Sequence, residues 1–277
     1  MHLRLTKREV PDGSLLAVLS DVHIPHHDEA ALRLVVECCE SEGATHVLLN
    51  GDIADCGPVS RHAGKRERDV LDIGSLRESV HRGMWLFDWA RTRPCWYTLG
   101  NHEAWVEEKI ATDPGLVGLA PELLMGLPPS GSGWTVLPSG SRIRLGSLVV
   151  EHGDSIFARG TGGANPAGRI LTLAPDQTTM VGHLHRLGAA WRTTYDEHGM
   201  RRTRAAFLNG HLSREETHES YAGGYPNWQQ SFALVRVHYD DTERSWVPST
   251  RFTVHQIEIH RDRGDRPTFE FGGRTYR

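Results

Sequence analysis

Seven side chains of the kinds that hold divalent cations fall in five short clusters of this sequence: Asp21 and His23, Asp52, Asn101, His152, and His183 with His185. The clusters read SDVH, GDIAD, GNHE, EHGD and GHLH, and each follows an apolar run. Carboxylate, amide oxygen and imidazole, with no thiolate among them, suit borderline or hard divalent cations. Asp21, His23, Asp52 and His185 give about four ligands for one cation, and Asn101, His152 and His183 serve a second that shares the Asp52 carboxylate. Two cations roughly 3.5–4 Å apart clamp a phosphate and make hydroxide available near neutral pH. His102 reads differently from its neighbour Asn101: an imidazole facing the substrate can protonate a leaving oxygen. Asp55 can accept a hydrogen bond from the far nitrogen of His102 and hold its tautomer.

Distant ligands meet only if strands bring them together. Leu15–Ser20, His46–Asn50 and Cys95–Leu99 read as buried strands, and Leu148–Glu151 and Thr178–Val181 precede His152 and His183 in the same way. Ligands at the carboxyl ends of neighbouring strands converge in space. Asp21 and His23, at i and i+2, would point to one side of an extended segment. Asp28 is placed to cap a helix carrying Leu32, Val35, Val36 and Cys39, ending near Gly43. Strand–helix–strand alternation argues for an α/β layered core. Leu71–Ala90 reads as one helix, Ala104–Ala111 as another, and Pro166–Leu173 as a third with proline at its start. Further short strands are expected at Trp134–Leu137, Arg142–Leu145, Leu187–Thr194, Arg204–Leu208, Phe232–Val237 and Arg251–Ile259. The tail after His260 is charged and glycine-rich, which predicts poor order.

The chain has 277 residues, 38% hydrophobic and 24% charged, enough for one large domain with a sizeable core. We expect a catalytic core over about 14–240 and C-terminal strands and tail over 241–277. A formal net charge of −4 provides no broad attraction to nucleic acid or an anionic membrane, and no strongly basic module is visible. Nucleotide substrates stay admissible, because bound cations supply local positive charge. No run approaches the roughly 18 apolar residues of a membrane span. The start, MHLRLTKREVPDG, has no apolar signal region. Cys38, Cys39, Cys56 and Cys95 form no C-x-x-C pair, so reduced thiols in a cytoplasmic setting are expected.

Taken in order, D-x-H, G-D-x-x-D, G-N-H-E, H and G-H-x-H resemble the calcineurin-like metallophosphoesterase superfamily, from Asp21 to His185. The resemblance implies a four-layer α/β/β/α sandwich with two central mixed β-sheets. It implies a dinuclear centre on the seven ligands above, Mn first among the cations with Fe, Ni, Zn and Mg as alternatives. It also implies His102 as catalytic acid and Asp55 as its partner. SDVHIPHHD, VSRH, GHLHRLG and PNWQQSF are similar to metallophosphoesterases of phages and prophages, which implies a bacterial or phage-infected cytoplasm. One departure matters. Protein phosphatases of the superfamily carry arginine directly after the second aspartate of G-D-x-x-D, and here Cys56 stands there.

Three further positions are candidates for touching an anionic substrate: Arg61 in the basic stretch Arg61–Asp69, and Asn165 and Arg169 beside the glycine-rich Gly160–Gly163. Each has a plainer reading as a solvated face or loop. Tyr225–Trp228 is either packing or a platform for a nucleobase. His26, His27, His62, His81, His211 and His218 match no ligand position and read as surface or packing histidines. The expected activity is a phosphodiesterase acting on nucleotides, DNA or RNA, with a phosphomonoesterase as the alternative. A non-catalytic scaffold would lack a ligand or the general acid, and none is missing. The sequence is silent on oligomeric state.

Overall fold

Two-residue alternation along β2 (Leu15–Leu19) separates the layers. Leu15, Ala17 and Leu19 join a core shared with helices, whereas Leu16 and Val18 join one shared with a second sheet. The structure, a computed structural model, describes residues 1–60, 73–131, 133–157, 163–195, 197–214, 227–240 and 249–277. Arg61 and the rest of 61–69, residues 160–162, His62, His218 and Tyr225 lie outside the described residues.

In chain order the elements begin with β1 (His2–Leu5), β2, α1 (Glu29–Ser41), β3 (His46–Asn50), α2 (Ile73–His81), α3 (Met84–Ala90) and β4 (Cys95–Thr98). There follow α4 (Asn101–Thr112), α5 (Pro121–Leu124), β5 (Trp134–Leu137), β6 (Arg142–Leu145), β7 (Leu148–Glu151), α6 (Asp154–Phe157) and α7 (Pro166–Leu173). The chain continues with β8 (Thr178–Val181), β9 (Gly188–Tyr195), β10 (Arg201–Leu208), β11 (Ser231–Asp240) and β12 (Ser249–Glu258). It closes with β13 (His260–Arg261), β14 (Pro267–Phe271) and β15 (Arg274–Tyr276).

Two six-stranded mixed sheets form, in the orders β1-β6-β7-β8-β10-β9 and β12-β11-β2-β3-β4-β5. Strands β2, β3, β4 and β5 run parallel, as do β7, β8 and β10. Leu16, Val18, Leu48 and Trp96 of one sheet meet Ile143, Val150, Met180 and Phe207 of the other. Helices α1 to α4 cover the outer face of the β2 sheet through Leu32, Val35, Leu76, Phe87 and Val106. Helix α7 covers part of the other outer face through Ala167, Ile170 and Leu171. The result is an α/β/β/α sandwich. It sets the carboxyl ends of β2, β3, β4, β7 and β8 side by side.

Helix α1 starts as its sequence predicts, with the Asp28 carboxylate accepting from the Ala31 N–H at 3.1 Å. The stretch expected as one helix over 71–90 is broken between α2 and α3. Gly83 sits at the break, and a Cβ there would run into the Ile24 side chain, so the chain must pass close by and the helix restarts. Helix α4 begins three residues earlier than expected, at Asn101.

The tail is ordered, contrary to expectation. Strands β13, β14 and β15 form a small antiparallel sheet. Phe269 is 2% exposed, stacks on Tyr276 with ring centroids 4.8 Å apart, and meets Phe232 of β11 at 5.4 Å. Two aromatic residues spaced for one face outweigh the glycines between them. Phe269→Ala is expected to destabilise the protein by about 3–5 kcal/mol, seen as a lower urea midpoint at unchanged slope. An unshifted midpoint would mean that the tail contributes nothing to the core.

Candidate metal centre

Four of the clusters sit where a strand gives way to irregular backbone, and the fifth opens α4 at Asn101 just after β4. Asp21, His23, Asp52, His183 and His185 all have left-handed backbone, with φ of 54°, 54°, 51°, 65° and 58°. For residues other than glycine this conformation costs of order 1–3 kcal/mol each and gathers at functional sites. Asp21 and His23 therefore do not converge by extended alternation, as expected from their spacing. They converge because the segment is pinned residue by residue: Asp21 N–H donates to Gly51 O at 3.0 Å and His23 N–H to Asp52 O at 2.9 Å.

Among the described residues three groups of ligand atoms result, one of them His23, Asp55 and His102. In another, donor atoms of Asp21, His23 and His185 all lie within 4.8 Å of one another. His23 Nε2 faces His185 Nε2 at 3.0 Å, and His185 Nε2 lies 3.4 Å from Asp21 Oδ1. In the third, Asp52, His152 and His183 meet the same limit. His152 Nε2 is 3.1 Å from both Asp52 Oδ2 and Asn101 Oδ1. The structure thus brings the seven side chains singled out in the sequence to neighbouring strand ends, Asp52 lying with His152 and His183 and Asn101 reaching them through His152. Their donor set of nitrogens and oxygens converging in a buried space fits a pair of divalent cations.

Tautomers follow from the outer partners. His152 Nδ1 lies 3.0 Å from Asn50 O and His102 Nδ1 lies 2.9 Å from Asp55 O. A carbonyl oxygen only accepts, so both Nδ1 atoms carry the proton and both Nε2 atoms turn inward. His102 Nε2 comes within 4.0 Å of Asp52 Oδ2. The Asp55 carboxylate is shared: its Oδ1 is 3.2 Å from His102 Nδ1 and 3.2 Å from His23 Nδ1. The expected partner of one histidine therefore holds two.

Electrostatics follow from burial and these neighbours. Burial lifts the Asp21 carboxyl to about 6, with His152 and His23 offsetting part of the effect. Burial also opposes ionisation of Asp52, but His152 and His102 outweigh it and hold that carboxyl well below the usual range. Burial opposes charge on His102, yet Asp52 and Asp55 raise it to about 9. His152 is raised to about 10, with Asp52 again overcoming burial. His185 is pushed well below its ordinary value by burial and by His23 beside it.

Glu103 had no assigned role in the sequence, and the structure gives it one. Fully buried, its carboxylate accepts from the N–H groups of Asp52 (3.0 Å), Ala54 (2.8 Å) and Gly100 (2.8 Å) and from the Tyr97 hydroxyl (2.6 Å). It ties the β3 turn to the start of α4. The signal available in the sequence was its place three residues after Gly100, where a helix-opening glutamate reaches back. His211, read as surface or packing, is fully buried and stacks on His185 with centroids 5.1 Å apart. Trp228 stands against both, 4.6 Å from His185 and 5.8 Å from His211. Asn165 and Arg169 are engaged locally. Asn165 Oδ1 caps α7 by accepting from Gly168 N–H at 2.9 Å, and Arg169 lies over Phe157 at 5.8 Å.

A four-layer sandwich with two buried cation-ligand groups at its strand ends defines a class, the metal-dependent phosphoesterases. Residues 15–211 match the family described as calcineurin-like phosphoesterase, and the chain belongs to that family. Among solved structures it is similar to Vacuolar Protein Sorting 29 from Cryptosporidium parvum, at 13% identity over 89% of this chain and 99% of that one, TM-score 0.41. It is also similar to YfcE, a phosphoesterase from E. coli, at 17% identity over 83% and 95%, TM-score 0.36. A dimetal phosphatase from Danio rerio aligns at 11% identity over 82% and 93%, TM-score 0.40. No curated protein matches the sequence. Among the described residues, no helix is long and apolar enough to cross a membrane.

Glu103→Ala would strand three backbone N–H groups and a hydroxyl in the interior, each costing about 1–3 kcal/mol. The expected outcome is a loss of at least about 3 kcal/mol in chemical denaturation, together with weaker binding of Mn by calorimetry. Unchanged stability would mean that the ties to Asp52, Ala54 and Gly100 do not hold the turn.

Proposed function

We propose that this phosphoesterase is a phosphodiesterase that cleaves nucleotide or nucleic-acid diesters, with Mn as its cation pair, in the cytoplasm of a bacterium or phage-infected cell. His102 carries the reading. Its Nδ1 is held by Asp55 and its Nε2 faces the space beside Asp52, and with no cation bound the Asp52 and Asp55 carboxylates raise its pKa to about 9. A group so held gives its Nε2 proton to the leaving oxygen as the P–O bond breaks. The water oxygen forms the new P–O bond and releases its proton to solvent, from which His102 recovers the one it gave.

The other side chains position and exclude. Asp21, His23, Asp52 and His185 would hold one cation, and Asn101, His152 and His183 the second, with Asp52 between them. When bound, such a pair supplies Lewis acidity towards phosphoryl oxygens and a water of lowered pKa. Asp55 orients His102 and His23 together, so displacing it disturbs both the acid and a ligand.

Two observations favour a diester with a flat leaving group. Cys56 occupies the position where protein phosphatases of the superfamily carry arginine. It is 1% exposed and its thiol turns towards Met125 at 3.8 Å. A monoester dianion thus lacks one cationic partner that it would otherwise find there. Half-buried Trp228 beside His185 supports stacking of a nucleobase.

The test compares bis-nitrophenyl phosphate with nitrophenyl phosphate on metal-stripped protein reloaded with Mn, Ni, Zn, Fe or Mg. Diester turnover should dominate and require added cation. His102→Ala should lower kcat by about a hundred- to ten-thousand-fold while Mn still binds. Asp52→Asn should lose turnover and cation affinity together. Faster monoester turnover would replace this reading with a phosphomonoesterase, and silence with every cation would favour a scaffold.

A further inference from the structure

The outer face of the β1-β6-β7-β8-β10-β9 sheet is only partly covered. Helix α7 packs on Val181, Ala206 and Leu208 near the carboxyl ends of the parallel strands. Alternation settles which side chains share that face at the other end. Leu3 and Leu5 of β1, Ile143 and Leu145 of β6, and Ala205 and Phe207 of β10 point between the sheets. Their neighbours Arg4, Arg142, Arg144, Arg202 and Arg204 therefore point outward, and Arg192 of β9 faces out opposite Arg204.

Register brings these arginines together. Arg4 pairs with Arg144 across β1 and β6, and Arg204 with Arg192 across β10 and β9. The two pairs flank the turn before β8: Arg144 Nη2 donates to Gln177 Oε1 at 3.0 Å and Arg204 Nε to Asp176 O at 3.1 Å. A cavity of about 330 Å³ opens among His2, Arg4, Arg142, Arg144, Val149 and Gln177. Among the described residues Glu151 opposes them, held by Arg142 at 2.9 Å, and Asp176, whose backbone carbonyl accepts from Arg204, lies in the turn. Like charges placed directly opposite across strands destabilise a sheet, so two arginine pairs are a cost that an anion spanning them would relieve.

We propose that this arginine face binds the phosphate backbone of a nucleic-acid strand, at a site separate from the metal centre. Arg4 and Arg144 lie level with Thr179 of β8 and Arg204 nearer its start, so about 13 Å of strand at ~3.3 Å per residue separates these two pairs from His183, whereas Arg142, level with Val181, lies closer. Guanidinium groups match phosphate oxygens in a two-pronged geometry that lysine lacks. Trp191 and Tyr195 are 66% and 68% exposed on the other face of β9, the edge strand, and offer stacking where a strand wraps the edge. A membrane-binding face would set exposed apolar residues among the cations, and here the outward positions between the two pairs are Val149, Gln177 and Thr179, with Val149 only 3% exposed.

The test measures anisotropy of a labelled phosphorothioate oligo-dT, resistant to hydrolysis, with the full-length metal-loaded protein over a salt series. The paired changes Arg4→Gln with Arg144→Gln and Arg192→Gln with Arg204→Gln are made separately and together, with Arg82→Gln and Arg91→Gln as a control on the helical side. Each pair should weaken binding several-fold and both together more than tenfold. The salt slope should fall by about 0.7 for each single-strand phosphate that the variant no longer neutralises. Turnover of bis-nitrophenyl phosphate should not change, which separates this site from the catalytic reading and shows that the variants are folded. If the combined variant does not fold, each pair alone still decides. No binding at low salt, binding equal in the control and face variants, or a loss confined to phosphatidylserine vesicles would overturn the proposal.

Discussion

A carboxylate in the interior must be matched on every side, and Asp52 is the group on which this requirement falls most heavily. It is 2% exposed, its Oδ1 accepts from His102 N–H at 2.9 Å, and its Oδ2 meets His152 Nε2 at 3.1 Å. Its own N–H goes to Glu103. Gly100 has to be glycine here, because a Cβ would strike the Asp52 carboxylate and backbone. Gly51 is likewise constrained, with φ of 80° and no room for a Cβ beside His152. Burial of one charge thus fixes two glycines, a glutamate and the first turn of α4.

The same constraint explains how strained backbone survives. Five ligand-bearing residues are held at positive φ, at a summed cost that no surface loop could sustain. Strand ends sustain it because freed backbone groups find partners there. Leu212 N–H reaches Asp21 O at 3.0 Å, Gly182 N–H reaches His152 O at 2.9 Å, and His183 N–H donates to Asp21 Oδ2 at 2.9 Å. The last of these bonds joins the two sheets through a proposed ligand, so sheet packing and ligand placement are one problem. Short side chains with nearby hydrogen-bond partners tolerate the left-handed region best, which is why aspartate and histidine can serve both ends.

How far the sequence could be read depended on whether a feature was local. Strands β2, β3, β4, β7 and β8 were legible from short apolar runs, and the Asp28 cap from one residue before a periodic stretch. The seven candidate side chains could be singled out because each lies just after such a run. Features that depend on a distant contact were not. The break at Gly83 requires knowing that Ile24 passes there. The order of the tail requires Phe232, more than thirty residues upstream of Phe269. His211 and Trp228 are ordinary letters until the fold sets them beside His185. Arginines at 4, 144, 192 and 204 are too scattered to register as a basic module in a chain of net charge −4.

Charge distribution ties the centre to the rest of the molecule. Asp21, Asp52 and Asp55 each belong to one of the ligand groups at the strand ends, and their negative charge opposes a phosphate there. Divalent cations reverse that sign locally, which makes phosphate affinity at the strand ends conditional on cation binding. The arginines of the opposite end carry a charge that does not depend on cations at all. On the readings proposed above, a long polyanion would experience two attractions of different origin on one sandwich, one gated by metal supply and one permanent. Their different dependence on salt and on chelators follows from the physics of each.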